Sequence, residues 1–184
     1  MKKLLILITI IGLFSFKSNE ESTEINWMTF EEAVEAQKKE PRKIIMDAYT
    51  NWCGWCKKMD KETFTNKDVV NYINNNYYAV KFNAEGNDEI TYDGTVFKNP
   101  NYKPENEKRR NGSHQLSQYL GISSFPTIVF LDEQANLIAP IPGYKKVRDL
   151  ELFLKLFKSD KYKEITDKAS YDDYLATFKY EFKE

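Results

Sequence analysis

The chain has 184 residues, which is enough for one domain with its own core once an N-terminal segment is set aside. It carries 27 basic and 28 acidic residues, so no field of one sign favours nucleic acid or an anionic membrane as a partner. Hydrophobic residues make up 41% of the chain and aromatic residues 15%, a composition typical of a globular domain.

The N-terminus has the pattern of a secretion signal. Two lysines precede an apolar run, Leu4 to Phe16, that is too short to cross a bilayer comfortably. We predict a signal peptide over residues 1–18, with an uncleaved anchor as the alternative, because no small-x-small cleavage pair follows the run. A polar linker over residues 19–26 then leads to a single domain over residues 27–184. The signal predicts export to the periplasm, an oxidising compartment.

Helical and strand patterns alternate along the first half of the domain. A T-x-x-E capping box opens a helix over EEAVEAQKKE, and the apolar run Lys43 to Thr50 has the length of a buried strand. Cys53 follows this strand and opens a second helix, Asn66 caps a third, and YYAVKFN is the next strand. This order predicts an α/β layer fold.

The pattern breaks over residues 86–112, which we interpret as an insertion. Asp93-Gly94, between ITY and TVF, predicts a two-residue hairpin turn, and a polar stretch of this length is either functional or flexible. A short helix, the strands PTIVFLD and NLIAPI, and an amphipathic helix over VRDLELFLKLF follow. A last helix is predicted over ASYDDYLATFKYEF, with one stripe formed by Tyr171, Tyr174, Leu175, Phe178 and Phe182.

The two cysteines of the chain lie in the stretch TNWCGWCKK and have three possible roles. A structural clip between Cys53 and Cys56 is a weak interpretation, because closing so short a loop removes little chain entropy. A structural zinc site needs four ligands, and the chain has no second CxxC pair and one histidine, His114, which we place at the surface or in the first turn of a helix. The third interpretation is a redox pair.

The redox interpretation rests on the predicted position of Cys53 at the N-terminus of a helix. Exposed N–H groups and the helix dipole stabilise a thiolate there. We expect Cys53 to be partly exposed and Cys56, one turn later, to be less accessible. In that arrangement Cys53 attacks a client disulfide, and Cys56 then resolves the mixed disulfide.

Three features, in order along the chain, resemble the thioredoxin superfamily. WCGWCK is similar to its active-site motif, Asp47 lies in an apolar strand six residues before Cys53, and Phe125-Pro126 precedes a later strand. The resemblance implies that Asp47 assists proton transfer at Cys56, that the Phe125-Pro126 bond is cis, and that the residue before the proline offers its backbone to substrate. A carboxylate inside an apolar strand is also costly without a purpose.

The form WCGWCKKMD and the signal pattern resemble exported thioredoxin-like proteins related to the electron-relay domain of bacterial membrane thiol:disulfide interchange proteins, which are associated with cytochrome c biogenesis. The resemblance implies a thioredoxin-like α/β fold with a central mixed sheet flanked by helices, here with an inserted hairpin and an extra C-terminal helix. It implies disulfide-bearing exported clients, a membrane thiol reductase as electron donor, and no metal or small-molecule cofactor.

Two tryptophans next to the cysteines are candidates for client contact. We predict that Trp52, partly buried, and Trp55, exposed, bind clients together with Phe125 and Pro126. The alternative function is a non-redox adaptor that binds clients through this aromatic surface, in which the cysteines are incidental. That alternative predicts client binding that is unchanged when both cysteines are replaced by serine.

Overall fold

The computed structural model describes residues 22–184, and the signal peptide predicted over residues 1–18 lies outside them. No helix in the described range is long and apolar enough to cross a membrane. The linker predicted over residues 19–26 is described from residue 22 onward. There Ile25 is buried, and the N–H of Asn26 donates to the side chain of Asn74 at 2.9 Å. These residues therefore pack against the domain.

Two sheets account for the strands of the described chain. The strands are β1 (Trp27–Met28), β2 (Lys43–Tyr49), β3 (Tyr77–Asn83), β4 (Ile90–Tyr92), β5 (Thr95–Phe97), β6 (Thr127–Leu131) and β7 (Leu137–Pro142). The larger sheet has the order β1-β3-β2-β6-β7, and β4 pairs with β5 alone. β1, β3 and β2 pair in parallel, whereas β6 is antiparallel to both β2 and β7. The predicted mixed sheet and added hairpin are confirmed; β1 was missed because two residues carry no periodicity.

The helices begin where the sequence places capping residues. They are α1 (Phe30–Lys39), α2 (Gly54–Glu62), α3 (Lys67–Asn76), α4 (Gln115–Tyr119), α5 (Val147–Lys158) and α6 (Lys168–Thr177). Thr29 and Glu32 form the predicted capping box at the start of α1, and the Asn66 side chain accepts two backbone N–H groups at the start of α3. Both caps satisfy N–H groups that a helix leaves without internal partners.

The core forms two layers, one on each face of the larger sheet. Successive residues of β2 alternate between these layers, because strand side chains point to opposite faces in turn. Ile45 lies in the layer that contains Met59 of α2, whereas Met46 lies in the layer that contains Phe30 of α1. Asp47 has the same parity as Ile45, so it points to the α2 side of the sheet.

The insertion begins with the predicted hairpin. Asp93 and Gly94 have positive φ angles of 47° and 71°, as a type I′ turn requires at both central positions. Ile90 and Phe97 of the hairpin join the buried cluster around Phe30. The insertion therefore contributes to the hydrophobic core and is not merely an addition to the surface.

A single asparagine ties the two ends of the insertion together. The side-chain amide of Asn99 donates to the carbonyl of Gly86 at 2.9 Å and to the carbonyl of Gly112 at 2.7 Å. The returning chain also passes close to Asn101: a Cβ atom added to Gly112 would lie 2.6 Å from the carbonyl oxygen of Asn101. Only glycine fits at residue 112 without a backbone shift.

We therefore expect Gly112→Ala to lower the free energy of unfolding by about 1–3 kcal/mol, the usual cost of a steric overlap in a packed site. Gly54→Ala is the matched control, because a Cβ atom there would meet nothing within 4 Å. We expect that control to change stability by less than about 1 kcal/mol, because alanine is the better helix former. Urea unfolding of the oxidised proteins measures both, and equal effects would show that the approach at Gly112 relaxes freely.

The C-terminal segment differs from its prediction in one respect. α6 ends at Thr177, so Phe178 and Phe182 of the predicted stripe lie beyond the helix. The backbone N–H groups of Glu181 and Phe182 instead donate to the Glu151 carboxylate, at 2.7 and 3.1 Å. Glu151 is fully buried, and a buried carboxylate needs donors. The segment beyond Thr177 therefore bonds to Glu151 and does not continue the helix that its periodicity predicted.

Candidate active site

Cys53 and Cys56 form a disulfide at the N-terminus of α2. The loop after β2, a central strand of the sheet, carries Cys53 to the N-cap position of the helix. There the Cys53 Sγ accepts the backbone N–H of Cys56 at 3.0 Å. In the reduced state the same N–H and the positive end of the helix dipole would stabilise a thiolate at Cys53.

The expected partial exposure of Cys53 is wrong for this oxidised structure. Cys53 is 3% exposed and Cys56 is 2% exposed. The Cys53 sulfur lies over the first turn of α2, where it is bonded to the Cys56 sulfur and also accepts a backbone N–H, so it does not project into solvent. Exposure therefore does not distinguish the two thiols, whereas their positions relative to the helix N-terminus do.

Asp47 is buried in the middle of β2, with 1% of its surface exposed. Its Oδ2 accepts a hydrogen bond from the Lys81 ammonium at 2.6 Å, while its Oδ1 has no partner among the described residues. Burial raises the pKa of Asp47 to about 6, although the charge of Lys81 opposes this rise. The carboxyl group can therefore take up or release a proton close to neutral pH.

Lys81 connects the buried acid to the cysteine helix. It is the register partner of Asp47 on β3, and its ammonium also pairs with the Asp60 carboxylate of α2. Burial alone would lower the pKa of Lys81, but the carboxylates of Asp47 and Asp60 raise it above its usual value. The sequence analysis missed this residue, although a lysine inside the apolar strand YYAVKFN gives the same signal as an aspartate inside KIIMDAYT.

The loop before β6 lies beside Trp52. Its Phe125-Pro126 peptide bond is cis, as the resemblance implied, and the Phe125 ring packs edge-to-face on the Trp52 ring with 6.1 Å between their centres. The Pro126 carbonyl accepts the N–H of Gly143 at 2.8 Å, which fixes the loop. Within residues 22–184 the backbone N–H and carbonyl of Phe125 form no hydrogen bond, so an extended chain could pair with them.

The two tryptophans belong to separate groups of side chains, and their exposure agrees with the prediction. Trp52 is half-buried, and its indole N–H donates to the Glu85 carboxylate at 2.7 Å. Trp55 is 58% exposed and packs on Tyr144, with 5.6 Å between the ring centres. The Lys58 ammonium lies over both of these rings, at 5.2 and 5.5 Å.

A groove of about 530 Å³ opens beside Trp52. The loop before β6 forms one wall through Ser124 and Phe125, and the insertion contributes Arg110 to the lining. Glu85, just after the C-terminal end of β3, completes the part of the groove nearest the tryptophan. The sequence analysis singled out neither Glu85 nor Arg110, because their proximity to Trp52 depends on the path of the insertion.

His114 is buried, so of its two predicted places, the surface or the first turn of a helix, the surface is wrong. It is the N-cap of α4, where its Nδ1 accepts the N–H of Leu116 at 3.1 Å, so the proton lies on Nε2 and is donated to the Asp88 carbonyl at 2.8 Å. Both ring nitrogens are therefore used in anchoring the insertion. Among residues 22–184, no group of three or more His, Cys, Asp or Glu side chains could hold a metal ion.

Comparisons with known proteins match the chain to one domain type. A sequence model of the thioredoxin-like domain matches residues 30–158. The disulfide bond reductase DsbH of Chlamydia pneumoniae is 21% identical over 119 residues, which cover 64% of this chain and 63% of that protein. The matched segment thus spans less than two thirds of that relative.

Two solved structures share the fold. A thioredoxin-fold protein from Helicobacter pylori aligns with a TM-score of 0.57 at 22% identity, covering 74% of this chain and 81% of that one. The structure of a DsbH oxidoreductase aligns with a TM-score of 0.50 at 16% identity, covering 86% and 93%.

Proposed function

Since the chain belongs to the thioredoxin-like domain family, we propose that it is a thiol-disulfide oxidoreductase that reduces disulfides of exported proteins. The observation that carries the proposal is the Cys53–Cys56 disulfide at the N-terminus of α2, next to a loop with a cis Phe125-Pro126 bond. A dithiol at a helix N-terminus is suited to nucleophilic attack on a disulfide. The reductase name of the Chlamydia pneumoniae relative supports the direction.

The first step is attack by the Cys53 thiolate on a client disulfide. A bond forms between the Cys53 sulfur and one client sulfur, the client S–S bond breaks, and the second client sulfur leaves as a thiolate. The Cys56 N–H that contacts the Cys53 sulfur at 3.0 Å in the disulfide stabilises the attacking thiolate before this step.

The second step is resolution of the mixed disulfide by Cys56. The Cys56 thiolate attacks the Cys53 sulfur, the intramolecular disulfide re-forms, and the remaining client sulfur leaves as a thiolate. The client has then gained two electrons and, after protonation, two protons. Restoring the dithiol requires a two-electron thiol donor, for which we propose a membrane thiol reductase, as the family resemblance implies.

Asp47 is proposed to carry the proton of Cys56 in the second step. It points to the side of the sheet on which α2 packs, and its Oδ1 has no partner among the described residues. A carboxyl group whose pKa is raised to about 6 is a competent base near neutral pH. Lys81, which bonds to Oδ2 and to Asp60 of α2, holds the carboxylate in place.

Client binding is proposed at the loop before β6. The unpaired backbone groups of Phe125 would bond to an extended client segment, with Trp52 and Trp55 supplying apolar contact. Export to the periplasm, inferred from the N-terminal signal pattern, would provide clients that carry disulfides.

The reduction potential of the Cys53–Cys56 pair tests the proposal. The protein is equilibrated with a series of glutathione redox buffers, and the free thiols are trapped and counted. We expect a value near the thioredoxin end of the range, about -270 mV. A value near about -120 mV, typical of a disulfide donor, would reverse the proposed direction. A pair that does not cycle would contradict the redox function and favour the non-redox adaptor.

A further inference from the structure

We propose that the insertion selects the clients of this site: Arg110 binds an acidic side chain that lies within a few residues of the client cysteine. The inference rests on the proposed function, because it concerns the segment that approaches Cys53. Its basis is the groove beside Trp52, in which the insertion supplies a cationic wall, Arg110, and the loop before β6 supplies Phe125.

The position of Arg110 relative to the disulfide is the first argument. Its guanidinium lies over the Trp52 ring, 5.0 Å from the ring centre, and Trp52 directly precedes Cys53. Because an extended chain advances about 3.3 Å per residue, a client segment on Phe125 would bring residues near its cysteine within reach of Arg110. Within the described part of the chain, Arg110 is exposed and takes part in no ion pair within 4 Å.

The second argument is that the wall is preformed. Asn111, the residue after Arg110, donates its backbone N–H to Glu85 at 2.8 Å, and its side chain bonds to both the N–H and the carbonyl of Lys103 at 2.8 Å. Asn99 ties the ends of the insertion through two further hydrogen bonds. A cation on an anchored loop loses less freedom on binding than one on a flexible loop.

The charge of the groove determines whether an acidic or a basic client residue binds better. Glu85 also lines the groove, but its Oε2 accepts hydrogen bonds from the Trp52 indole and the Asn111 backbone. The guanidinium, in contrast, lies over the Trp52 ring and donates no hydrogen bond to any residue that the structure describes. Nearby on the insertion, Lys108 and Arg109 are exposed cations and Glu105 and Glu107 are exposed anions, but none of the four lines the groove, so Arg110 supplies the positive charge of the lining. An acidic client residue therefore fits this wall better than a basic one.

The test measures single-turnover reduction of short peptides by the reduced full chain. Each peptide carries one cysteine joined to 2-mercaptoethanol as a mixed disulfide, and one Glu, Gln or Lys is placed in turn at each of the positions flanking the cysteine. At the best position we expect the Glu peptide to react about threefold faster than the Gln peptide, the rate equivalent of a solvent-accessible ion pair. The Lys peptide should react more slowly than both.

Charge reversal at each of two neighbouring residues shows which residue causes the preference among the peptides. Arg110→Glu should reverse the order of the Glu and Lys peptides, whereas Arg109→Glu, the same change outside the groove lining, should preserve it. The ratio between peptides cancels any change in the intrinsic reactivity of Cys53. Raising the salt concentration should weaken the preference in the wild-type protein.

Contrary outcomes separate this proposal from the redox function. Equal rates for all peptides at every position, or a preference that Arg110→Glu leaves intact, would overturn the role of Arg110 while the reductase activity stands. A preference for Lys would show that Glu85 dominates the groove and would also overturn it. No reduction of 2-hydroxyethyl disulfide, a small uncharged substrate, would overturn the redox function and this inference with it.

Discussion

We expect Cys53→Ser to reduce the turnover of a protein disulfide to the uncatalysed level, and Cys56→Ser to stop it after one step. Both substitutions remove the intramolecular disulfide, so they are matched in what they do to the fold. They differ because Cys53 caps the N-terminus of α2, where a thiolate is stabilised, whereas Cys56 lies within the helix. The Cys56→Ser protein should therefore still attack a client and then remain bonded to it.

Mass spectrometry of the two variants with a disulfide-bearing peptide provides the measurement. A covalent adduct on Cys53 should accumulate with Cys56→Ser and be absent with Cys53→Ser. The opposite pattern would exchange the roles of the two thiols. Normal turnover by both variants would show that the cysteines are not the reacting groups.

We expect Asp47→Asn to raise the free energy of unfolding by about 1–2 kcal/mol at pH 8 in the oxidised protein, because it removes a buried charge. The pKa of Asp47 rises on folding from 3.8 to about 6, which corresponds to a penalty of up to about 3 kcal/mol for keeping the carboxylate charged. This shift already includes the attraction of Lys81, and the expected gain is smaller than the penalty because the substituted amide remains a buried polar group that needs hydrogen-bond partners.

The pH dependence of this gain in stability tests whether the buried charge of Asp47 is its cause. Between pH 3.8 and about 6 the folded state holds more protons at Asp47 than the unfolded state, so the wild type loses stability as the pH rises. The advantage of Asp47→Asn should thus be complete above pH 6 and disappear towards pH 4. Urea unfolding at several pH values measures it, with the disulfide intact so that no thiol titrates.

Asp60→Asn is the control for this experiment. It removes the other carboxylate that pairs with Lys81, but the Asp60 side chain is 42% exposed, so little buried charge is relieved. We expect a change of less than about 1 kcal/mol. If Asp47→Asn proved clearly destabilising at pH 8, the pairing with Lys81 would outweigh the cost of burial.

A functional counterpart follows from the proposed proton transfer: Asp47→Asn should slow resolution of the mixed disulfide.

The parts of the site that the sequence predicted are those signalled by local patterns. The cysteine spacing, the aspartate inside an apolar strand and the proline before a strand each stand out within a few residues of sequence. The structure confirms the burial of Asp47 and the cis bond at Pro126. The helix starts were equally accessible, because a cap is formed by residues that are close in the chain.

The parts that were missed depend on contacts between distant segments. Lys81 lies next to Asp47 because of the register between β3 and β2. Arg110 lies over Trp52 because Asn99 and Asn111 hold the returning chain of the insertion in place. The end of α6 is another case, since a buried glutamate on α5 takes the backbone donors of the tail. Hydrophobic periodicity carries no information about such pairings.

The anchoring of the insertion affects how the client preference of such a protein can change during evolution. Its hairpin is bound into the core through Ile90 and Phe97, and its end is held by Asn111, whose side chain bonds to the main chain of Lys103 and whose N–H donates to Glu85. In the described chain, the side chains of residues 103–110 form no hydrogen bond. Substitutions in that short tip could therefore accumulate or be engineered almost independently of foldability, so that new client preferences could arise on an unchanged catalytic frame.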